Sequence, residues 1–179
     1  WRDDLRDFKK MGQPRLFFAI SAGNMDSMVN HYTVNKRLRS DDAYTPDGKS
    51  GMRPDYATIT YANIIKKLYP EVPLLIGGIE ASLRRFTHYD YWSDKLMPSI
   101  LVDTKADLLI YGMGEKPVVE LVRQIKEGKS FAEMTDIPQT SFASKEIPQH
   151  PKWKDITLVS HDVCLTDKKL YASNFKHIE

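Results

Sequence analysis

The sequence predicts an α/β fold, a doubly wound and mostly parallel open sheet with helices on both faces. Three short apolar runs each end in a glycine-containing turn that leads toward a segment with a helical pattern. Strands that alternate with helices favour right-handed crossovers and therefore parallel pairing. The 179 residues, 41% of them hydrophobic, are enough for one globular domain with a buried core.

The first predicted strand covers residues 16–20, which are uniformly apolar and rich in aromatic side chains. The turn at 21–24 follows, and Asn24 is a favourable residue for the N-cap of a helix. Apolar residues then recur at i, i+3, i+4 and i+7, namely Met25, Met28, Val29 and Tyr32. This spacing predicts an amphipathic helix directly after the first strand.

The second unit begins with a helix, since Pro54 suits the first helical position and Asp55 suits the first turn. Its predicted buried stripe has the same spacing and consists of Tyr61, Ile64, Ile65 and Leu68. Pro70 should end this helix. Residues 72–76 then form a continuous apolar strand of the kind that is covered by helices on both faces.

The third unit is the clearest, with a strand at 107–111, a turn at 112–115 and a helix. Pro117 lies near the start of this helix and Gly128 lies just past its end. Its apolar face consists of Val118, Leu121, Val122 and Ile125. Between the second and third units, residues 94–102 are predicted to form a short helix.

The pattern weakens beyond the third helix, which divides the chain into an α/β domain at 1–136 and a connection with a C-terminal helix at 137–179. The proline-rich stretch 137–153 is predicted to be connection with one possible edge strand. Residues 155–160 are predicted to be a further strand, and residues 162–178 a helix that leads onward.

Composition and charge leave several classes of function without support. The 26 Lys and Arg residues nearly balance the 24 Asp and Glu residues, so no basic surface supports binding to nucleic acid. The longest apolar stretch, 72–79, is far too short to span a membrane. Because the chain opens with Trp1 and no signal-peptide pattern follows, we expect a piece of a longer protein.

The single cysteine, Cys164, limits the chemistry further. One thiol cannot form an intramolecular disulfide, a cysteine-based zinc site or the ligand set of an iron-sulfur cluster. A reducing, cytoplasmic location fits this count. We expect Cys164 to be a small buried apolar residue, and no catalytic residue or metal ligand is assigned in this chain.

Ligands of open parallel sheets collect at the carboxyl ends of the strands, so the candidate site lies there. Glycines in such turns admit a ligand to the backbone, and helix N-termini attract anions, although tight turns need the same glycines without a ligand. The candidate ligand-binding residues are Ser21, Gly23, Asn24, Asp26, Gly77, Gly78, Glu80, Ser82, Arg84, Arg85, His88, Asp90, Gly112, Gly114 and Glu115.

The polar and aromatic segment 82–94 is the densest part of this candidate site. Arg84 and Arg85 could hold a carboxylate or phosphate in forked geometry, and His88 could pair with Asp90 or Asp94 as an acid-base couple. The alternative is a solvated arginine pair beside aromatic residues that pack a helix on the sheet.

Two further features of the sequence bear on function. Neither a dinucleotide fingerprint nor a phosphate-binding P-loop occurs in it. The long polar loop 39–51 is predicted to be mobile surface.

Four runs of the sequence carry a resemblance to a known family. They are RLFFAISAGNMDSMVNHYT, RSDDAYTPDGKSGMRPD, GGIEASLRRFTHYDYWSDK and SILVDTKADLLIYGMGEKPVVEL. The chain resembles the N-terminal region of the YgiQ family of radical SAM proteins. The resemblance implies a bacterial cytoplasmic protein whose later portion binds a [4Fe-4S] cluster through C-x-x-x-C-x-x-C and cleaves S-adenosylmethionine.

That cysteine motif is absent from this sequence, so the cluster and S-adenosylmethionine are implied for the full-length protein alone. The implied partner is the downstream radical SAM domain, a barrel of the same polypeptide, and the substrate is undefined. The GG and GMGE turns also resemble those of cobalamin-binding-type, Rossmann-like domains. However, D-x-H-x-x-G is missing, and the first strand of such a domain would precede Trp1.

The resemblance, together with the clustered glycine turns, implies an accessory, substrate-side domain that covers the barrel mouth or helps to bind substrate and is not catalytic by itself. The strand-end turns and the segment from Arg84 to Asp94 would face the active site. The alternative is a non-catalytic binding module for a small anionic ligand, cobalamin or a macromolecular partner. A purely structural domain is the third possibility.

Overall fold

The computed structural model describes residues 1–23 and 25–178. The strands, in chain order, are β1 (Phe18–Ser21), β2 (Leu74–Gly77), β3 (His88–Asp90), β4 (Lys95–Met97), β5 (Leu108–Ile110) and β6 (Thr140–Ser141). The helices are α1 (Arg6–Lys9), α2 (Ser27–His31), α3 (Ala57–Leu68), α4 (Gly78–Leu83), α5 (Ile100–Thr104), α6 (Glu115–Lys126), α7 (His161–Thr166) and α8 (Lys168–Ile178). No helix in the described ranges is long and apolar enough to cross a membrane.

The main sheet has four strands in the order β1-β2-β5-β6. β1 is parallel to β2, with Phe18 opposite Leu74, and β2 is parallel to β5, with Leu75 opposite Leu108. Only β6 is antiparallel, on the edge of β5. The predicted fold class, a mostly parallel open α/β sheet flanked by helices, is confirmed.

The central strand β2 supplies both hydrophobic cores. Leu74 and Ile76 point into a cluster with Ala62 and Ile65 of α3, whereas Leu75 points into a second cluster with Leu121 of α6. Successive side chains of a strand point to opposite faces, so a continuous apolar run is needed where both faces are covered. Full burial of each such side chain contributes roughly 1.5–3 kcal/mol to folding.

Glu80 on α4 is a buried carboxylate that joins two other helices. Its side chain is 1% exposed. One oxygen, Oε2, accepts the backbone N–H of Ser27 at 3.0 Å, and the other, Oε1, accepts that of Thr58 at 2.8 Å. Both N–H groups belong to the first turns of helices. Such N–H groups have no acceptor within their own helix, and the N-terminus of a helix favours a nearby negative charge.

Helix α2 differs from the prediction because its buried face is polar. Asp26 caps it by accepting the N–H groups of Met28 and Val29, and the predicted cap, Asn24, lies outside the described residues. Val29 is 50% exposed although the predicted stripe placed it inside. The helix is held by hydrogen bonds to Glu80 and at Asp26 rather than by an apolar stripe, which explains the error.

The prediction that helix α3 begins at Pro54 is wrong, since the helix begins at Ala57. Tyr56 adopts a left-handed conformation with φ 49°, and the helix starts where Oγ of Ser27 accepts the N–H of Ala57 and Glu80 accepts that of Thr58. The end is as predicted, since the helix stops at Leu68 before Pro70.

The helix predicted at 94–102 is wrong in its first half. β3 and β4 form an antiparallel hairpin there, with His88 opposite Met97 and Asp90 opposite Lys95. Pro98 biases the preceding residue toward extended backbone, which favours a strand. The helix α5 begins only after Pro98, behind an N-cap at Ser99.

The C-terminal part combines confirmed and wrong predictions. The edge strand expected within 137–153 is β6. Residues 155–160 form no strand. Instead, Asn174 hydrogen-bonds both the N–H and the carbonyl of Val159.

The single predicted C-terminal helix is two helices, α7 and α8. They are broken at Asp167, whose carboxylate accepts the N–H of Lys169 at 2.7 Å. Cys164 is fully buried in α7, as predicted. The domain boundary at residue 136 stays a prediction.

The long loop 39–51 contains one buried carboxylate, that of Asp42. This carboxylate is 3% exposed and pairs with Arg53 at 2.9 Å. Burial acts to raise its pKa, but hydrogen bonds from Arg53 and the N–H of Tyr44 outweigh that effect and lower the pKa to about 2. The loop therefore holds this buried carboxylate in its ionised form.

We expect Glu80→Gln to lower the free energy of unfolding by about 3 kcal/mol, measured by urea denaturation. The amide retains one acceptor but turns its own N–H₂ toward a helix N–H, so one buried donor loses its partner. Glu115→Gln is the matched control, since this glutamate also lies in the first turn of a helix but is exposed. It should change stability by less than about 1 kcal/mol. Equal effects would show that Glu80 is not a buried link between helices.

Candidate functional site

The carboxyl ends of the parallel strands border a cleft of about 350 Å³. We call it the strand-end cleft. The predicted site residues that line it are Ser21, Gly77, Gly78, Gly112 and Gly114. The structure therefore brings one residue of the first turn together with the glycines of the second and third turns.

The glycines of this cleft are required by the turns themselves. Gly78 has φ +80°, and a Cβ added there would lie 2.5 Å from Oγ of Ser21. Gly112 has φ +68°, and its Cβ would lie 3.1 Å from Nε2 of Gln139. Left-handed backbone and close approach both favour glycine. The turn geometry thus accounts for these residues without a ligand.

Ser82 and Arg85 hold two of the turns together. Ser82 Oγ donates to the carbonyl of Gly78 at 2.7 Å and accepts the N–H of Gly112 at 3.2 Å. Arg85 donates to the carbonyl of Ser82 at 2.7 Å, and its guanidinium lies 4.7 Å from the ring centre of Tyr111. Both side chains therefore stabilise the turns at the carboxyl ends of the strands through contacts within this chain.

Asp26, Glu80 and Arg84 form a buried charged cluster behind this edge. Arg84 pairs with Asp26, and each side chain is 8% exposed. Burial acts to lower the pKa of Arg84, but the hydrogen bond that Arg84 donates to Asp26 and the nearby carboxylates outweigh it and raise the pKa. The carboxylate that Arg84 holds therefore belongs to this chain, and Arg84 contacts it through one guanidinium nitrogen, Nη1. We call Asp26, Glu80 and Arg84 the buried charge cluster.

A second and larger cavity, of about 520 Å³, lies beside the β3–β4 hairpin. We call it the hairpin pocket. Its lining consists of Asp55, Tyr56, Ile59, Thr60, Asn63, Arg84, His88, Asp90, Ser93, Lys95, Met97 and Asp103. Of the predicted site residues, only Arg84, His88 and Asp90 lie here, so the predicted site is divided between two cavities.

The predicted pairing of His88 with Asp90 or Asp94 is wrong. Nδ1 of His88 donates to the carbonyl of Phe86 at 3.1 Å. Asp90 accepts from the Tyr56 hydroxyl at 2.8 Å, and Asp94 accepts from the Tyr89 hydroxyl at 2.6 Å. The sequence places these groups close together but does not show that other donors occupy both carboxylates.

The pKa values of His88 and Asp90 follow from their burial and from these hydrogen bonds. Burial lowers the pKa of His88, so the imidazole is neutral near pH 7. Burial acts to raise the pKa of Asp90, but hydrogen bonds from Ser93 and Tyr56 outweigh it and lower the pKa. The pocket therefore combines a neutral imidazole with an ionised carboxylate.

The remaining candidates lie near the cleft without lining it. Gly23 has φ +107° in the turn after β1, and Glu115 is exposed at the start of α6. Asn24 lies outside the described residues. Tyr56, Lys95 and Asp103 line the hairpin pocket and were missed, because three separate elements bring them together and no local spacing signals it.

The residues present do not fit a metal or cluster. Across 1–23 and 25–178, no three His, Cys, Asp or Glu side chains are grouped to hold a metal ion. A [4Fe-4S] cluster is held by several thiolates, and Cys164 is the chain's single cysteine.

The chain is thus an α/β domain with an open, mostly parallel sheet, and the two cavities are its candidate sites. Its sequence matches the family described as "Radical SAM N-terminal" over residues 1–179, and the chain belongs to this family.

Three relatives named UPF0313 protein illustrate the match. The protein of Bacteroides thetaiotaomicron is 60% identical over 190 residues, covering 100% of this chain and 31% of that protein. The Porphyromonas gingivalis protein is 58% identical over 180 residues, covering 100% of this chain and 28% of its own length. The Methanocella arvoryzae protein is 47% identical over 173 residues, covering 97% and 28%.

The chain thus spans less than a third of the length of these relatives, which supports a downstream domain in the same polypeptide. No solved structure matches the chain.

We expect Asp26→Asn to destabilise the protein by about 3 kcal/mol or more. Asparagine caps helices as well as aspartate does, so the variant removes the charge that pairs with Arg84 and keeps the cap. An unpaired buried cation is costly. The measurement is chemical denaturation of the variant beside wild type.

Asp4→Asn is the matched control for this variant. Asp4 pairs with Arg6, but the two side chains are 48% and 64% exposed. Exposed pairs contribute between about 0 and 1 kcal/mol, so the control should be nearly neutral. A comparably small loss for Asp26→Asn would contradict the importance of the buried pair.

Proposed function

We propose that this chain is the substrate-side accessory domain of a radical SAM enzyme, with its strand-end edge against the downstream domain. The downstream domain would supply the [4Fe-4S] cluster and the cleavage of S-adenosylmethionine, in the cytoplasm. This chain would bind and cover rather than catalyse. Family membership and the greater length of the relatives support the proposal.

The observation that carries the proposal is the apolar surface around the strand-end cleft. Its exposed side chains lie in the turns and helices that follow β1, β2 and β5. They are Met25 (38% exposed), Ile79 (45%), Leu83 (61%), Met113 (72%) and Val118 (39%). All five follow the carboxyl ends of strands, and Val118 also lines the strand-end cleft. Exposed apolar side chains that share one end of a sheet favour a surface that another protein or domain covers.

Helix α4 shows how this surface is built. Ile79 and Leu83 are four residues apart and therefore lie on one face of the helix. Glu80 and Arg84 at the C-cap each follow one of these residues, about 100° around the helix axis, and both are held in the buried charge cluster, so the helix cannot rotate to bury its apolar face. The apolar face is thus fixed toward the outside of this domain.

Covering this edge suits the proposed chemistry. A closed site excludes water and prevents side reactions of reactive intermediates. The carboxyl edge of an open sheet is also where ligands of α/β domains collect. A substrate held between this edge and the downstream domain would be enclosed on both sides.

The test uses the full-length Bacteroides thetaiotaomicron relative with this chain in place of its matching segment, called the chimera below. Hydrogen exchange followed by mass spectrometry should show slower exchange of α4 and of residues 112–114 in the chimera than in the 179-residue chain. Leu83→Glu should raise exchange at these peptides about tenfold, equivalent to ~1.4 kcal/mol of docking free energy.

Val102→Glu is the matched control. Val102 is 64% exposed, close to Leu83 at 61%, but it lies on α5, in the connection that leads to the start of β5, and it does not line the strand-end cleft. It should leave exchange at the strand-end edge unchanged. Equal exchange in the chimera and the isolated chain, or equal effects of the two variants, would contradict the proposal.

A further inference from the structure

We infer that the hairpin pocket binds a small organic cation, whose ammonium or similar nitrogen is held by Asp90, Asp103 and His88. This inference is independent of the docking of the strand-end edge, because the two cavities have no lining residue in common.

The hairpin acts as a wall between two cavities. His88, Asp90, Lys95 and Met97 alternate along β3 and β4 and line the hairpin pocket. The residues between them, Tyr89 and Leu96, line a different cavity that includes residues of α7 and α8. Because strand side chains alternate between faces, one face of the hairpin lines the hairpin pocket, although Lys95 on that face also reaches the other cavity.

The charges of the pocket favour a cation. Its lining contains three carboxylates, from Asp55, Asp90 and Asp103, and two cations, Arg84 and Lys95. The charge of Arg84 is already matched by Asp26, which lies outside the pocket lining. Lys95 and Asp55 are both exposed, and Asp55 already pairs with His31 and accepts from the Tyr32 hydroxyl. The inner wall is therefore left with the carboxylates of Asp90 and Asp103.

Three acceptors in the pocket have no donor from the described residues. Asp90 receives its hydrogen bonds from Tyr56 and Ser93 on Oδ2, which leaves Oδ1 open. No described donor reaches the carboxyl of Asp103. Nδ1 of His88 donates to a backbone carbonyl, so Nε2 of the neutral ring is an acceptor.

The pKa of Asp103 agrees with a missing partner. Burial raises it, and nearby His88 opposes that change only in part. A buried carboxyl with a bound cation would have a lower pKa instead. The ligand that satisfies all three acceptors carries several N–H donors and a positive charge, as a primary ammonium does.

The size and the apolar part of the lining describe the rest of the ligand. The pocket volume of about 520 Å³ lies within the range of small-molecule sites. Ile59 and Met97 supply apolar wall beside the acceptors. An ammonium on a short alkyl chain fits this combination, and a small anion does not.

The experiment compares butylammonium, butyramide and butyrate, which have four-carbon chains and differ in their head groups. Saturation-transfer NMR on the chimera at pH 7 should show saturable binding of butylammonium. Neither the neutral butyramide nor the anionic butyrate should bind at equal concentration. Asp103→Asn should weaken butylammonium binding tenfold or more. Burial disfavours the ionised Asp103 carboxyl, so this variant should remain folded, which thermal unfolding checks.

Asp94→Asn is the matched control. Asp94 lies on the same hairpin but lines the other cavity, and its left-handed φ of 56° is tolerated by asparagine. It should change butylammonium affinity less than twofold. Leu83→Glu, which tests domain docking, should also leave this affinity unchanged.

Three results would overturn the inference. They are stronger binding of butyrate than of butylammonium, no saturable binding of butylammonium, and equal effects of Asp94→Asn and Asp103→Asn. The first would assign the pocket to anions through Lys95.

Discussion

Buried charge in this domain has to be partnered, and that constraint positions nearly everything around the two cavities. Glu80 is almost fully enclosed and accepts N–H groups from the starts of α2 and α3. Asp26 caps α2 and neutralises Arg84 at the end of α4. Three helices are therefore fixed to one another by charges that cannot separate without large cost, because an unpaired buried charge is poorly solvated.

The same cluster links the strand-end cleft to the hairpin pocket. Glu80 fixes the rotation of α4, and with it the outward face of Leu83. Arg84 lies 5.8 Å from the ring centre of Tyr56, whose hydroxyl donates to Asp90 at the start of the hairpin turn. The network thus runs from the sheet edge to the pocket wall through consecutive hydrogen bonds and ring contacts. The strand-end edge and the hairpin pocket are therefore both positioned by the buried charge cluster.

Apolar patterning predicted the sheet and helix α6 well. β2 and β5 are covered on both faces, and α6 has apolar residues at regular helical spacing. It failed for α2, whose buried face includes Ser27, Asn30 and His31, because polar contacts hold that helix. It also failed for the hairpin, which is too short to show alternation. Glycine turns predicted the cleft, whereas Asp103 and Lys95 could not be found without the tertiary fold.

The most direct test of the central claim is native-state hydrogen exchange at the backbone amides of Ser27 and Thr58, which donate to Glu80. If the buried carboxylate joins α2 and α3 to the core, both amides should exchange only through global unfolding, with free energies within ~0.5 kcal/mol of that of Ile76 in β2. Exchange of either amide through a local opening at least ~2 kcal/mol below that of Ile76 would contradict the claim.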